Sequence, residues 1–328
     1  MTLRPVALLA AIPLLFVACS NDGASSPATT VASTPTTTAT TAASTTIAES
    51  TTTTISPNAA QILFISDNGN PGVYQLWLTN ADGSDAHAIT SSPFSHFHPA
   101  YSPDGSKIVF TSDGDGHQGI FVVNADGTGE VQITSGASDL SPSWSPDGEK
   151  IVYDTKAPGA QPYLLYVINA DGTGQVKLTT NDGDEYEAVF SPDGTKLAFT
   201  VQGGGNNIWV INADGTNMVA LTDASGDNDH AQWSPDGTKI VFTSTRDDGV
   251  HAQVYVMNAD GSGQTALTSD PISHAFPSWS RDGGRIAYDA GDSADYNTYE
   301  IWVMNADGTN AKAITANTAD DGVPVWVP

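Results

Sequence analysis

Histidines and carboxylates gather at one place in a repeating segment of this chain. The copies can be aligned on the aromatic residue that ends each one: Tyr101, Trp144, Phe190, Trp233, Trp279 and Trp326. Ahead of these lie His96 and His98, Asp139, Glu185 and Glu187, Asn228 and His230, His274, and Asp321. Side chains alternate faces along a strand. Regular alternation puts those groups on one face and Phe97, Leu140, Tyr186 and four prolines (Pro99, Pro142, Pro277, Pro324) on the other. Three chemistries suit such a set. Imidazoles and carboxylates can ligate a divalent metal, with His96, His98, His230 and His274 as the nitrogen donors. Paired carboxylates such as Asp184 and Glu187 can move protons. Without a metal, the same groups form a polar binding site, in which a histidine beside carboxylates titrates above its usual value of about 6.5.

Nucleophilic hydrolysis and phosphate binding lack support. No Gly-x-Ser-x-Gly elbow occurs in the chain. The triplet Gly203-Gly204-Gly205 lies between strand-like runs, with no helix to follow, so it is not a phosphate loop.

A repeat positions these residues. Asn-Ala-Asp-Gly occurs at 80–83, 124–127, 169–172, 212–215, 258–261 and 305–308, at intervals of 43 to 47 residues. Ser-Pro-Asp-Gly occurs at 102–105, 145–148, 191–194 and 234–237, and Ser280-Arg281-Asp282-Gly283 is a fifth version. A period of about 40–50 residues signals a solenoid, propeller or array. Each unit reads as four short strands, for example His98–Tyr101, Lys107–Thr111, Ile120–Val123 and Val131–Thr134. The two motifs supply turns through Pro, Asp and Gly. The middle strands are nearly continuous β-branched and aromatic runs, as in strands covered on both faces. The chain is therefore expected to be all-β: a six-bladed β-propeller with four-stranded antiparallel blades. The first unit begins at Gln61-Ile62-Leu63-Phe64, which corresponds to a second strand. The last residues, Val323 to Pro328, correspond to a first strand. The C-terminal strand is thus expected to complete the first blade and leave no open edge at the seam.

The repeated pattern, SPDG-K-I-V-F-T-S followed by I-x-V-x-N-A-D-G-T and L-T, resembles the TolB-type, WD40-like (PD40) propeller repeat. It covers residues 61–328. The Trp-Asp dipeptide of WD repeats is absent, and a threonine-rich stretch stands where TolB proteins have an N-terminal α/β domain. Some propeller lyases of pectin fragments hold a metal on channel histidines, so that resemblance implies a metal-dependent alternative.

The N-terminus reads as an address. Arg4 precedes an apolar run from Val6 to Val17, too short to span a bilayer, which takes about 20 residues, and suited to a signal peptide over 1–18. The only cysteine, Cys19, follows directly, and the segment resembles a bacterial lipoprotein signal, which implies lipidation of Cys19. Residues 19–60 hold 14 threonines between Thr29 and Thr54, with no apolar periodicity, and are read as a disordered tether. One cysteine also excludes an intrachain disulfide.

Charge narrows the partners. There are 37 acidic against 11 basic residues, a formal net charge of −26. A phosphate backbone needs a basic surface, so nucleic acid is excluded, and the membrane is expected to be met only through the N-terminal lipid. Lys107, Lys150, Lys196, Lys239 and Arg285 follow the Ser-Pro-Asp-Gly turns, whereas Asp113, Asp182, Asp223, Asp247, Asp248 and others crowd the loops of variable length at the opposite end. Binding residues concentrate on loops held by a rigid scaffold. The expected protein is a lipid-anchored component of the cell envelope, periplasmic or at the cell surface. Its propeller is expected to bind a protein, peptide or glycan of cationic character without catalysis or cofactor. The alternative is a metal-dependent polysaccharide lyase or hydrolase that uses the channel-mouth residues named above.

Overall fold

The computed structural model describes residues 60–114, 116–136, 138–156, 162–292 and 299–328. The expected signal peptide, Cys19 and all but the last residue of the expected tether lie outside the described residues.

Among the described residues, twenty-four strands form six separate four-stranded sheets. Five follow chain order, with inner strands His96–Tyr101, Asp139–Trp144, Glu185–Phe190, Asn228–Trp233 and Ser273–Trp279. In the remaining sheet the C-terminal strand Asp321–Trp326 is the inner strand and pairs antiparallel with Gln61–Ser66, Ile62 opposite Trp326 and Ser66 opposite Asp321. The tail therefore closes the ring, as the split first unit predicted.

Second strands are buried on both faces, which accounts for their unbroken apolar runs: Ile62, Leu63, Ile108, Val109, Ile151 and Val152 are all fully buried. The core lies between blades. One cluster joins Leu63, Ile65 and Leu76 of the first blade to Ile108, Phe110 and Val123 of the second. Another joins Ile62 and Phe64 to Ile301, Val303 and Trp326, so both sides of the first blade are packed.

Both repeated motifs are turns that satisfy their own polar groups. Asp104 Oδ1 accepts from the Ser102 hydroxyl at 2.6 Å and the Ser106 amide at 3.0 Å, and these bonds hold its carboxyl down at about 2. Asp126 does the same for Thr128. The two motifs differ in what surrounds the glycine. Gly105 has φ +71° and open space around it. Gly127 has φ +80°, and a Cβ there would sit 1.8 Å from the carbonyl oxygen of Ile89 in the preceding blade. Gly83 meets Ile314 O of the last blade in the same way, at 2.2 Å. The Asn-Ala-Asp-Gly glycine is thus an inter-blade contact as well as a turn residue.

Each inner strand carries one irregularity. Counted from His96, Asp139, Glu185, Asn228, His274 and Asp321 as first positions, register slips between the second and fifth residues, for example between Phe97, opposite Thr111, and Ala100, opposite Val109. The third residue is left-handed in all six: His98 at φ +48°, Ser141 +49°, Glu187 +57°, His230 +52°, Phe276 +48° and Val323 +52°. This is a β-bulge, two residues facing one, and it re-aims the side chains on either side of it.

Replacing either turn glycine by alanine strains its backbone by about 1–2 kcal/mol. Gly127→Ala must in addition move a neighbouring blade, about 1–3 kcal/mol more. Chemical denaturation should show Gly127→Ala clearly less stable than Gly105→Ala; equal losses would mean that the blades do not touch there.

Candidate functional site

The bulge splits the expected set of site residues in two. First-position residues point away from the axis and are almost wholly buried: His96, Glu185, Asn228 and Asp321 at 0% exposure, Asp139 at 2% and His274 at 3%. They secure the loops that enter their own blades. Asp139 accepts from the Thr155 hydroxyl at 2.5 Å and the Gly136 amide at 2.9 Å. Glu185 accepts from the Thr179 hydroxyl and from Asn181 Nδ2. Asn228 Oδ1 accepts from Arg246 at 2.6 Å and the Ser244 hydroxyl at 2.8 Å, while its amide donates to Gly226 O at 2.8 Å. Asn317 donates to Asp321 at 2.7 Å. Thr90 Oγ1 and His96 Nδ1 lie 3.2 Å apart, and His274 Nε2 is 3.4 Å from Asp270. Burial pushes His96 down to about 4 and also lowers His274, against the pull of Asp270.

Third-position residues face the channel. His98, Ser141, Glu187, His230, Phe276 and Val323 line a central cavity of about 270 Å³. It extends along the inner strands past Tyr101, Trp144 and Trp326 to Pro103 and Pro328, at the Ser-Pro-Asp-Gly end. Of the nine expected binding residues, His98, Glu187 and His230 therefore meet in the cavity and the other six stand behind it. The reason is the left-handed third residue: strict alternation would have kept first and third positions on one side. The four histidines named as metal donors are divided in the same way, two inside and two outside. Among the described residues no group of three or more His, Cys, Asp or Glu is arranged to hold a metal ion.

The cavity floor is a charged cluster. His230 Nε2 lies 3.1 Å from Glu187 Oε1, and its Nδ1 lies 3.0 Å from Asp229 Oδ1. These are ion-pair contacts without hydrogen-bond angles. The His230 backbone amide also donates to Glu187 Oε2 at 3.2 Å, and Phe276 covers the imidazole at 3.8 Å between ring centroids. Burial disfavours the imidazolium, but Glu187 and then Asp229 outweigh it and raise His230 well above the usual histidine value. Burial likewise opposes the Glu187 charge, yet His230 and His98 hold its carboxyl below the usual range. His98 goes the other way: burial lowers it, against the pull of Glu187.

Two further carboxylates belong to this cluster and were not expected from the sequence. Asp154 and Asp289 are the fifth residues of their second strands, 0% and 3% exposed. Asp154 accepts from the Glu187 amide at 3.3 Å and Asp289 from the Val323 amide at 3.0 Å, each across a blade boundary onto a left-handed residue. In the second blade Thr111 fills this role for the Ser141 amide at 3.2 Å. Burial pushes both acids up to about 7. The sequence did carry a signal for them: a single acidic residue inside the apolar runs Ile151-Val152-Tyr153-Asp154 and Ile286-Ala287-Tyr288-Asp289.

Residues 15–191 and 186–328 match the PD40 family, described as the TolB beta propeller domain. The chain belongs to that family. A 39-residue stretch is 46% identical to the Tol-Pal system protein TolB of Albidiferax ferrireducens, covering 12% of this chain and 9% of that protein. The crystal structure of TolB from Acinetobacter baumannii superposes with a TM-score of 0.72 at 23% identity, over 82% of this chain and 67% of that one. A chain of the nidogen/laminin complex superposes with a TM-score of 0.67 at 14% identity, over 82% of this chain and 98% of the other. At these identities the superpositions establish the propeller fold alone. The split ring, the six blades and the family membership agree.

The pH dependence of stability follows from the cluster. Asp289 is unprotonated above about 4 in the unfolded chain but holds its proton to about 7 when folded. Its contribution is thus fully present below about 4 and lost as pH rises through about 7. Asp289→Asn keeps a neutral group at all pH values, so its Tm should gain on the unsubstituted protein between pH 4.5 and pH 7.5. A Tm difference that stays constant across that interval would contradict the buried, proton-holding carboxyl.

Proposed function

We propose that this PD40 propeller is a non-catalytic binding scaffold of the cell envelope, and that its variable loop face captures a cationic segment of a protein, peptide or glycan. The observation that carries this reading is the charge of that face. Asp113, Asp182, Asp223, Asp247, Asp248 and Asp270 are exposed there. Its two strong cations are engaged: Lys156 lies 4.3 Å from the centre of the Tyr163 ring, and the Arg246 guanidinium 4.8 Å from that of Tyr255. Arg246 also donates to Gln264 and Asn228. Carboxylates spaced within a Debye length of about 8 Å add their potentials, which steers a basic partner and rejects acidic ones. Exposed Phe94 and Val250, at 44% and 54%, add apolar contact on the same face.

The similarity to a Tol-Pal system protein supports an envelope setting. The lipoprotein reading of residues 1–19 completes it: a lipidated Cys19 with a threonine-rich tether would hold the propeller at a membrane outside the cytoplasm, periplasmic or at the surface. The first-position residues Asp139, Glu185, Asn228 and Asp321 support binding indirectly, by fixing the loops that carry the exposed acids.

Titration with fluorescent oligolysine tests the charge argument. Binding should weaken several-fold between low and high salt and fall at least about tenfold when Asp113, Asp182, Asp223, Asp247 and Asp248 are changed together to Asn. An Asp85→Asn control on the opposite face should bind as before. Undiminished binding by the fivefold variant would remove the loop face as the site.

A further inference from the structure

The channel cavity has a chemistry of its own, separate from the loop face and at the other end of the inner strands. Four carboxylates (Glu187, Asp229, Asp154, Asp289) surround two imidazoles (His98, His230), and the geometry pairs only His230 with Glu187 and Asp229. Glu187 and Asp229 share the one imidazolium of His230, so negative charge is in excess even where Asp154 and Asp289 hold their protons. Polar atoms without partners sit in the cluster too: Asp154 Oδ2 and Asp289 Oδ1, in residues 0% and 3% exposed, and His98 Nδ1 are buried without a hydrogen-bond partner. A buried polar atom left without a partner costs about 1–3 kcal/mol. What the cluster lacks is a group with positive charge and several N–H donors. The cavity walls suit the same group: Tyr101, Trp144, Phe276 and Trp326 line it, and aromatic side chains attract cations and cover alkyl chains.

We propose that the channel cavity binds a primary alkylammonium group, carried by a free amine or by a lysine side chain, entering from the Ser-Pro-Asp-Gly end. The ammonium donates toward Glu187, and the alkyl chain lies along the aromatic wall toward Pro103 and Pro328. A volume of about 270 Å³ accommodates a short chain. A quaternary ammonium carries the charge but no donors and binds more weakly. A carboxylate meets Glu187 head-on and is rejected.

Trp144 and Trp326 line the cavity, so tryptophan fluorescence of the full chain reports occupancy directly. The probes are cadaverine for a free amine, N-acetyl-lysinamide for a side chain, tetramethylammonium as a donorless cation, and glutarate as an anion. A saturable response to cadaverine is expected if free amines are the source, and to the lysinamide alone if side chains are. In either case Glu187→Gln should weaken the response at least about tenfold. Ser143→Leu should weaken it as well, because it narrows the cavity and leaves every carboxylate in place. Circular dichroism of each variant confirms that it folds. The proposal is overturned by no saturation with either amine, by tighter binding of glutarate or tetramethylammonium than of both amines, or by unchanged affinity in two folded variants. The loop-face Asp→Asn substitutions do not touch the cavity, so failure here and failure of the loop-face reading are separate results.

Discussion

One backbone constraint decides what this propeller presents to a ligand: the left-handed third residue of every inner strand. L-residues other than glycine resist that conformation by about 1–2 kcal/mol, and a β-branched residue such as Val323 resists it most. Six repetitions persist because each bulge solves a packing problem. The inner strand must turn one set of side chains outward to lock its loops and another inward to fill the channel. The left-handed residue also turns its amide toward the neighbouring blade, where Thr111, Asp154 or Asp289 accepts it. Bulge, blade boundary and channel lining are thus one arrangement.

The consequence is a division of labour along a few residues of each inner strand. First positions are structural: Asp139, Glu185 and Asn228 have their polar atoms committed to the adjoining loops, which leaves those loops shaped and their exposed carboxylates fixed in place. Third positions are available to a ligand, and in four neighbouring blades (His98, Ser141, Glu187, His230) they are polar, while Phe276 and Val323 are apolar. The acidic loop face and the acidic cavity floor therefore arise from different positions.

The repeat made the fold legible before any coordinate. Two turn motifs recurring at a nearly regular interval, apolar middle strands and a C-terminal strand that matches a first strand specify a closed six-bladed ring, and the pairing of Asp321–Trp326 with Gln61–Ser66 is that ring's seam. The site was legible only in part. Residue types drew attention to the inner strands, where His98, Glu187 and His230 do meet. The period-two rule then failed, because a bulge made by serine, histidine, glutamate or valine has no sequence mark of the kind glycine would leave. Asp154 and Asp289 were hidden differently: they sit in second strands whose other residues read as core, and only comparison with Thr111 and Thr200 at the same place shows them to be exceptional.

The most direct test of this account measures the inner-strand backbone itself. In isotopically labelled protein, amide–Hα scalar couplings and intraresidue amide–Hα NOEs report φ at His98, Ser141, Glu187, His230, Phe276 and Val323. All six should show left-handed values, while first-position His96, Glu185 and Asn228 show extended ones. Extended values at His98, Glu187 and His230 would return them to the side of their first-position neighbours, and the channel described above would be lined by other residues.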